Sequence, residues 1–352
     1  MDIDTKIDII KSEPLEEIIT EAELRNLLET NSKPKHYIGF EISGMPHIGH
    51  ILFAGKKIND LDKVGVKTQV FLADWHTVAN NKLGGDWERI LKAAEFYKKL
   101  FKATCPNTEV VLGSDLYDKD HDYWKLVIQM ARRATMARAT RTLIIEGRSE
   151  KDTLHVSQYI YPIMQAADIA ALDSDIPHAG MDQRRVHMLA KEIFKDLKMK
   201  NIVPIHHHLM PSVQEPPKIE KDAIKEEVVA AMKMSKSKPG SAVQILATKE
   251  EVSSLINKAW SPEKVTDENP VLKLCKYVIF PNLRRFEVKR EARFGGDVEY
   301  NTYQQLERDY GEGKLHPSDL KKNVADSLYR IMEPISKKFE KEREEISRLF
   351  TL

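Results

Sequence analysis

The sequence predicts an α/β protein, a doubly wound parallel sheet followed by a mostly helical second domain, and three observations carry that expectation. Short apolar runs alternate with stretches of helical periodicity as far as residue 209. Within 36–65 an apolar run, a glycine-bearing turn and a helical pattern follow one another directly. Beyond Pro262 and Pro270 the strand-like runs give way to helical sequence that continues through 320–352.

Taken in order, residues 1–30 are charged and amphipathic, without the apolar run of a signal peptide or a membrane span. Residues 36–42 read as a buried strand, and Ser43-Gly44-Met45-Pro46 as turn chemistry. Ile48, Ile51, Leu52, Ile58 and Leu61 then recur at helical spacing until Gly65 stops them. Further strands are expected at 69–73, 109–113, 176–180 and 202–209, with helices at 87–101, 122–145, 158–172 and 182–197 between them. In such sheets ligands bind beyond the carboxyl ends of the strands, which places 39–44, 74–76 and 180–183 around one crevice. A charged stretch at 218–227 leads into Lys233-Met234-Ser235-Lys236-Ser237, bounded by Pro239 and Gly240 and read as a mobile loop. The expected division is 1–257 and 258–352. No internal repeat or low-complexity tract interrupts it.

Composition sets bounds without choosing a function. A chain of 352 residues is long enough for two cores. Cys105 and Cys275 stand far apart in sequence, which does not indicate a disulfide framework or a cysteine-rich zinc site. A soluble, cytoplasmic protein is expected. The net charge of +1 gives no global basic signal, so any nucleic-acid contact must come from local patches.

Two motifs carry the chemistry. His47-Ile48-Gly49-His50 opens a helix directly after a strand and a glycine turn. A helix start presents unpaired backbone N–H groups and a positive dipole end, so a polyphosphate can lie there with His47 and His50 as added donors. Gly44 and Gly49 leave the backbone open to a flat adenine. Alone, the same segment could be a helix that begins after a turn and carries two solvated histidines. Lys233 and Lys236 shift the balance, because two ammonium groups on a loop can close over a triphosphate and offset the charge that builds as pyrophosphate leaves. ATP chemistry follows from the pair.

The two motifs, in this order, resemble the signature pair of class I aminoacyl-tRNA synthetases, and their surroundings resemble the archaeal and eukaryotic tyrosyl-tRNA synthetases. The matching blocks are Tyr37-Ile38-Gly39-Phe40-Glu41 with Ser43-Gly44, Leu72-Ala73-Asp74 with His76, and Tyr161-Pro162-Ile163-Met164-Gln165 with Asp168. Gly180-Met181-Asp182-Gln183-Arg184 with His187-Met188-Leu189-Ala190, Phe294-Gly295-Gly296-Asp297, and Leu315-His316-Pro317 with Asp319-Leu320-Lys321 complete them. The resemblance implies a Rossmann-like catalytic domain with an inserted helical segment at about 115–170, and an α-helical anticodon-binding domain. It implies ATP contacts from Gly44, His47, Gly49, His50, Met234, Ser235 and Lys236, with magnesium carried on the phosphates. The tyrosine pocket would draw on Tyr37, Gly39, Glu41, His76, Tyr161, Gln165, Asp168 and Gln183.

Within that pocket Tyr37 and Asp168 are the implied partners of the phenol hydroxyl, and Tyr161, Gln165 and Gln183 those of the amino-acid end. Tyr161, Gln165 and Asp168 are spaced by four and three, so they share one helix face. Rejecting phenylalanine requires buried polar groups that the wrong substrate leaves unpaired, and tyrosyl-tRNA synthetases are themselves the standard example of that discrimination. One block departs from the family: Leu116 and Tyr117 stand where an aromatic residue and a glutamine are familiar. Trp75 receives no role.

The implied reaction is attack of the tyrosine carboxylate on the α-phosphate of ATP, then transfer of the acyl group to the terminal adenosine of tRNA(Tyr). Neither step needs a protein nucleophile, so catalysis falls to positioning and charge stabilisation by His47, His50, Lys233 and Lys236. For the RNA, Arg184 and Arg185 would meet the acceptor stem, Phe294 would stack on an anticodon base, and Asp319 would accept from a guanine edge. Arg132, Arg133, Arg138, Arg141 and Arg148 form a second basic cluster that also reads as a solvated helix face. A homodimer is expected from resemblance alone. His206-His207-His208 is read as non-metal, because alternate residues of a strand face opposite sides. Three rivals stand beside this reading: a tryptophanyl-tRNA synthetase, a catalytically idle RNA-binding or signalling relative, and another nucleotidyl-transferase using the first motif only.

Overall fold

The computed structural model describes residues 1–143, 155–216, 233–234 and 240–351. Six strands form one sheet: β1 (Leu15–Ile18), β2 (Lys35–Glu41), β3 (Lys67–Ala73), β4 (Glu109–Leu112), β5 (Ile176–Gly180) and β6 (Ile205–His207). Their order is β1-β6-β5-β2-β3-β4, with β2 to β6 parallel. The chain leaves β2 toward β3 on one side and reaches β5 on the other, so the switch point lies between β2 and β5. Every residue of β5 is buried, as expected of a strand covered on both faces.

The wholly parallel expectation needs one correction. β1 pairs antiparallel with β6 at the edge, Leu15 opposite His207 and Ile18 opposite Ile205. The charged start of the chain concealed it: α1 (Ile3–Lys11) and α2 (Glu21–Thr30) flank a strand of only four residues with two glutamates. Lys57 anchors this flank. It is fully buried on α3 (Gly55–Lys63), and its ammonium donates to the carbonyls of Ile9 (3.3 Å), Ile10 (2.8 Å) and Ser12 (2.7 Å), gathered where α1 ends.

The helices α5 (Trp87–Thr104), α9 (Val156–Ala171) and α10 (Arg184–Asp196) lie near their expected places, and two short helices that the sequence does not predict, α4 (Asp74–Ala79) and α6 (Gly113–Lys119), follow β3 and β4 directly. The single helix expected over 122–145 is broken into α7 (Tyr123–Ala131) and α8 (Met136–Leu143). Thr135 explains the restart, because its hydroxyl accepts the Arg138 N–H and caps the second helix. The strand expected over 202–209 is confined to the three residues of β6. Trp75 stacks on Trp87 at 4.8 Å and ties α4 to the start of α5.

Beyond residue 240 the chain is mostly helical, with one departure. A two-stranded antiparallel ribbon, β7 (Phe286–Val288) and β8 (Val298–Tyr300), lies against the long Pro317–Ser336 helix, whose Asn323 accepts from the Lys289 N–H at 2.8 Å. These helices close one continuous apolar core with the sheet domain, from Ile38 on β2 to Leu328 and Ile346. Phe96 on α5 meets Phe339 at 5.4 Å, and Arg89 donates to the Leu349 carbonyl at 2.7 Å. Among the described residues, no helix is long and apolar enough to cross a membrane.

Replacing Lys57 by methionine keeps most of the volume and removes a charged donor from three carbonyls. We expect Lys57→Met to cost about 1–3 kcal/mol in urea unfolding; an unchanged midpoint would remove the capping role.

Candidate active site

Strand β2 ends in Gly39-Phe40-Glu41, and the chain then turns through Pro46 into the first motif. The motif opens on a π-helical turn, Gly49–Ala54, that runs straight into α3. Such turns concentrate at functional sites. The rings of His47 and His50 lie against each other at a tilt of 53°, their centroids 3.9 Å apart, and the His47 N–H donates to His50 Nδ1 at 3.3 Å. The Gly49 N–H donates to His47 Nδ1 at 3.1 Å, and a Cβ on Gly49 would stand 2.8 Å from the His47 ring. Only glycine leaves His47 that seat.

Backbone pairing brings the distant second motif to the same place. Ile48 donates to the Val243 carbonyl (3.0 Å) and Ile245 to that of Pro46 (2.9 Å), while Met234 donates to that of Met210 (2.8 Å) just after β6. Lys233 is thereby held over the end of β5, where its ammonium meets Asp182 at 2.6 Å. Burial alone would raise the Asp182 carboxyl, but the adjacent ammonium outweighs it and holds the group below its ordinary value. Ser235 and Lys236 lie outside the described residues.

A cleft of about 360 Å³ opens at the switch point, between the ends of β2 and β5. His47, Gly49, His50, Lys233 and Met234 line one part of it; Tyr37, Gly39, Glu41, His76, Tyr161, Gln165 and Gln183 line the other. Gly44 does not line it; its carbonyl accepts the hydroxyl of buried Tyr97 at 2.6 Å. Glu41 accepts from Asn80 at 2.7 Å, and Tyr161 stands edge-on to His76 at 4.5 Å. A Cβ on Gly39 would come within 2.7 Å of the Tyr37 hydroxyl, so glycine there makes room for the phenol beside it.

Asp168 is not among the lining residues. It is completely buried behind them on α9, with His76 Nε2 3.4 Å from its Oδ2. Burial raises the Asp168 carboxyl to about 8 and lowers His76 to about 3, so this contact joins a neutral imidazole to a carboxyl group and is no ion pair. Two phenols face the other oxygen: Tyr117 and Tyr123 donate to Oδ1 at 2.9 and 2.7 Å. Asp74, buried at the end of β3, accepts the Ser114 N–H and so fixes the start of α6, which carries Tyr117.

Several cleft residues escaped the sequence reading. Asn80, Lys82 and His178 line the cleft without any motif to mark them, His207 belongs to the histidine run that was expected only to be non-metal, and Asp182 lies in the Gly180–Arg184 block without an expected role. The histidine run is divided by strand alternation. His206 pairs with His187 (3.0 Å) and Glu17 (2.9 Å), whereas His207 pairs with His178 (2.8 Å), which meets His36 at 3.1 Å. Burial lowers all five imidazoles, so each chain consists of neutral rings. Among the described residues no group of three His, Cys, Asp or Glu side chains is placed to hold a metal ion.

The expected RNA contacts fall in two places. Arg184 is engaged by Glu17 of β1 at 2.9 Å, and Arg185 donates to the Arg141 carbonyl at 3.3 Å. Arg138 pairs with Glu192, Arg132 and Arg133 are exposed, and Arg148 lies outside the described residues. In the C-terminal region Phe294 is 55% exposed beneath the Arg293 guanidinium. Asp319 sits in the first turn of the Pro317–Ser336 helix, against which the loop bearing Phe294 is held by Asn323 and by Arg290 donating to the Lys314 carbonyl at 2.9 Å.

Known proteins share this architecture and sequence. The model of the family described as tRNA synthetases class I (W and Y) matches residues 29–333. A tyrosine–tRNA ligase of Thermococcus kodakarensis is 44% identical over 98% of this chain and 97% of its own length. The crystal structure of the Pyrococcus horikoshii tyrosyl-tRNA synthetase, complexed with L-tyrosine, superposes with a TM-score of 0.92 at 42% identity, covering 99% of this chain and all of that one. The Archaeoglobus fulgidus enzyme, also with L-tyrosine, gives 0.84 at 38% identity, covering 96% of this chain and 99% of that one. A Plasmodium falciparum tryptophanyl-tRNA synthetase, 16% identical with a TM-score of 0.68, shares the fold. With the family model spanning most of its length and relatives this similar end to end, the chain belongs to the class I tRNA synthetases, in their tyrosyl branch of archaeal and eukaryotic type.

Proposed function

We infer that this chain is a tyrosine–tRNA ligase, which joins tyrosine to AMP at the expense of ATP and then passes the acyl group to tRNA(Tyr). The observation that carries the reading is one cleft lined by both His47-His50 and Lys233 and by Tyr37, His76, Tyr161, Gln165 and Gln183, in a chain 44% identical to such a ligase. The triphosphate lies along the start of the first-motif helix, with His47, His50, Lys233 and Lys236 offsetting charge as pyrophosphate departs. Magnesium arrives on the phosphate oxygens of ATP. Tyrosine places its ammonium and carboxylate against Tyr161, Gln165 and Gln183, and its ring toward Tyr37 and Asp168.

Tryptophan is not favoured by any of these features. The relatives at 41–44% identity are tyrosine ligases, and the tryptophanyl neighbour speaks to the fold alone. Arg184 and Arg185 are assigned to the acceptor stem, and Phe294 and Asp319 to the anticodon. We assign the enzyme to the cytoplasm, where its tRNA and ATP are found. A homodimer is supported by exposed apolar side chains, Trp124 and Ile128 one turn apart on α7 and Met136 on α8.

Three measurements test the reading. Tyrosine-dependent ATP–pyrophosphate exchange is expected, and Lys233→Ala and Lys236→Ala should each lower its kcat by about a hundredfold or more while KM for tyrosine stays near wild type. Undiminished exchange in both variants would discard the phosphate role of the loop. Asp319→Ala should weaken tRNA charging and leave exchange intact; equal losses in the two assays would remove the anticodon assignment. Sedimentation velocity should give a dimer that Ile128→Glu dissociates, whereas a variant that stays dimeric would place the interface elsewhere.

A further inference from the structure

At 117, where the family is expected to carry glutamine, this chain has a tyrosine that takes part in a buried cluster behind the cleft. The Asp168 carboxylate is completely buried, and its two oxygens are treated differently. Oδ1 accepts two hydrogen bonds, from Tyr117 at 2.9 Å and Tyr123 at 2.7 Å. Oδ2 is buried with no hydrogen-bond partner, and so is His76 Nε2, 3.4 Å away on the wall of the cleft. The two phenol rings stack at 4.1 Å, so each fixes the other's direction of approach. Tyr117 comes from α6 and Tyr123 from α7, and the carboxylate is thus clamped between two elements other than its own helix.

A carboxylate held in this way has little freedom to turn. Two hydrogen bonds on one oxygen set the rotation of the carboxyl plane and direct the unoccupied lone pairs of the other. A buried acceptor without a donor costs free energy, which a hydroxyl brought in by a ligand recovers and a bare ring does not. We propose that Tyr117 and Tyr123 are positioning residues for substrate selection, which occupy Oδ1 of Asp168 so that Oδ2 is reserved for the hydroxyl of the bound tyrosine. The proposal rests on the tyrosine–tRNA ligase reading and adds to it a pair of residues outside the cleft wall.

The two phenols have an electrostatic effect as well. Burial raises the Asp168 carboxyl and the bonds from Tyr123 and Tyr117 lower it, with Asp74 raising it further; Tyr37 and His76 also face it, Tyr37 held un-ionised and His76 neutral by burial. Removing either phenol donor therefore raises the carboxyl further, and the acceptor is lost at a higher pH than in the parent enzyme.

The test is pyrophosphate exchange with Tyr117→Phe, Tyr123→Phe and Tyr117→Gln, measured with tyrosine and with phenylalanine between pH 6 and 9. Each phenylalanine variant keeps the ring and its stacking. We expect KM for tyrosine to rise about tenfold or more in both, with kcat and KM for ATP within about twofold of the parent. The preference for tyrosine over phenylalanine should fall by the same factor, and the pH below which KM for tyrosine climbs should move upward. Tyr117→Gln should restore most of the loss. Phenylalanine variants with parental KM, preference and pH profile would overturn the proposal, as would a Tyr117→Gln variant no better than Tyr117→Phe. Should Tyr117→Phe not fold, Tyr123→Phe and Tyr117→Gln decide the matter by the same readouts. A parent enzyme without tyrosine-dependent exchange would refute the ligase reading itself, a separate outcome.

Discussion

The site depends on three main-chain hydrogen bonds that join segments distant in sequence. Ile48 and Ile245 pair with Val243 and Pro46, and Met234 pairs with Met210. Without them the first motif would be the start of a helix and Lys233 would be an unplaced charge. With them, both stand at the switch point of the sheet, where the ends of β2 and β5 diverge and leave a crevice. Backbone pairing suits this task because it is indifferent to side chains, which remain free to face the ligand. The Asp182 carboxylate completes the arrangement by giving the Lys233 ammonium a fixed position at the rim.

Much of this was legible in the sequence, and what was missed has identifiable causes. The five parallel strands announced themselves through short apolar runs, clearest in the buried half of β3, Val70 to Ala73. Edge strand β1 did not, because four residues with two glutamates carry no such signal. The break between α7 and α8 turns on a single hydroxyl at Thr135 within an otherwise helical pattern. In the site, residues inside motifs could be named, whereas Asn80, Lys82 and His178 reach the cleft through tertiary packing that no local pattern records. Resemblance placed Asp168 with the pocket residues, yet periodicity could not reveal that it stands one layer behind the wall.

Burial explains the chemistry of that second layer. Around the sheet ends the structure accumulates buried imidazoles, phenols and a carboxyl group. Desolvation drives each of them toward its uncharged form. The histidines of β5 and β6 answer by bonding to one another, a solution that uses one ring nitrogen as donor and the next as acceptor. The cationic side of the cleft differs, since Lys233 and Asp182 remain partly accessible and stabilise each other's charge. One cleft thus has a wall suited to charge and a wall suited to neutral hydrogen bonding.

That division bears on how a ligase separates two amino acids differing by one hydroxyl. The extra oxygen adds little apolar contact, so size cannot provide the discrimination, and an exposed acceptor would be satisfied by water whichever ring entered. The acceptor must be dry, and it must lack one partner until the correct ring arrives. Asp168 meets the first condition by complete burial and the second through Oδ2. A dry carboxylate with an unmet lone pair would ordinarily rotate or take up a proton. Phenol donors on Oδ1 oppose both responses, the first by fixing the carboxyl plane and the second by partly offsetting the rise that burial imposes on the carboxyl group. On the proposed role of Asp168, selectivity in this chain is set in the layer behind the cleft, where what is withheld from the carboxyl group matters as much as what is supplied to it.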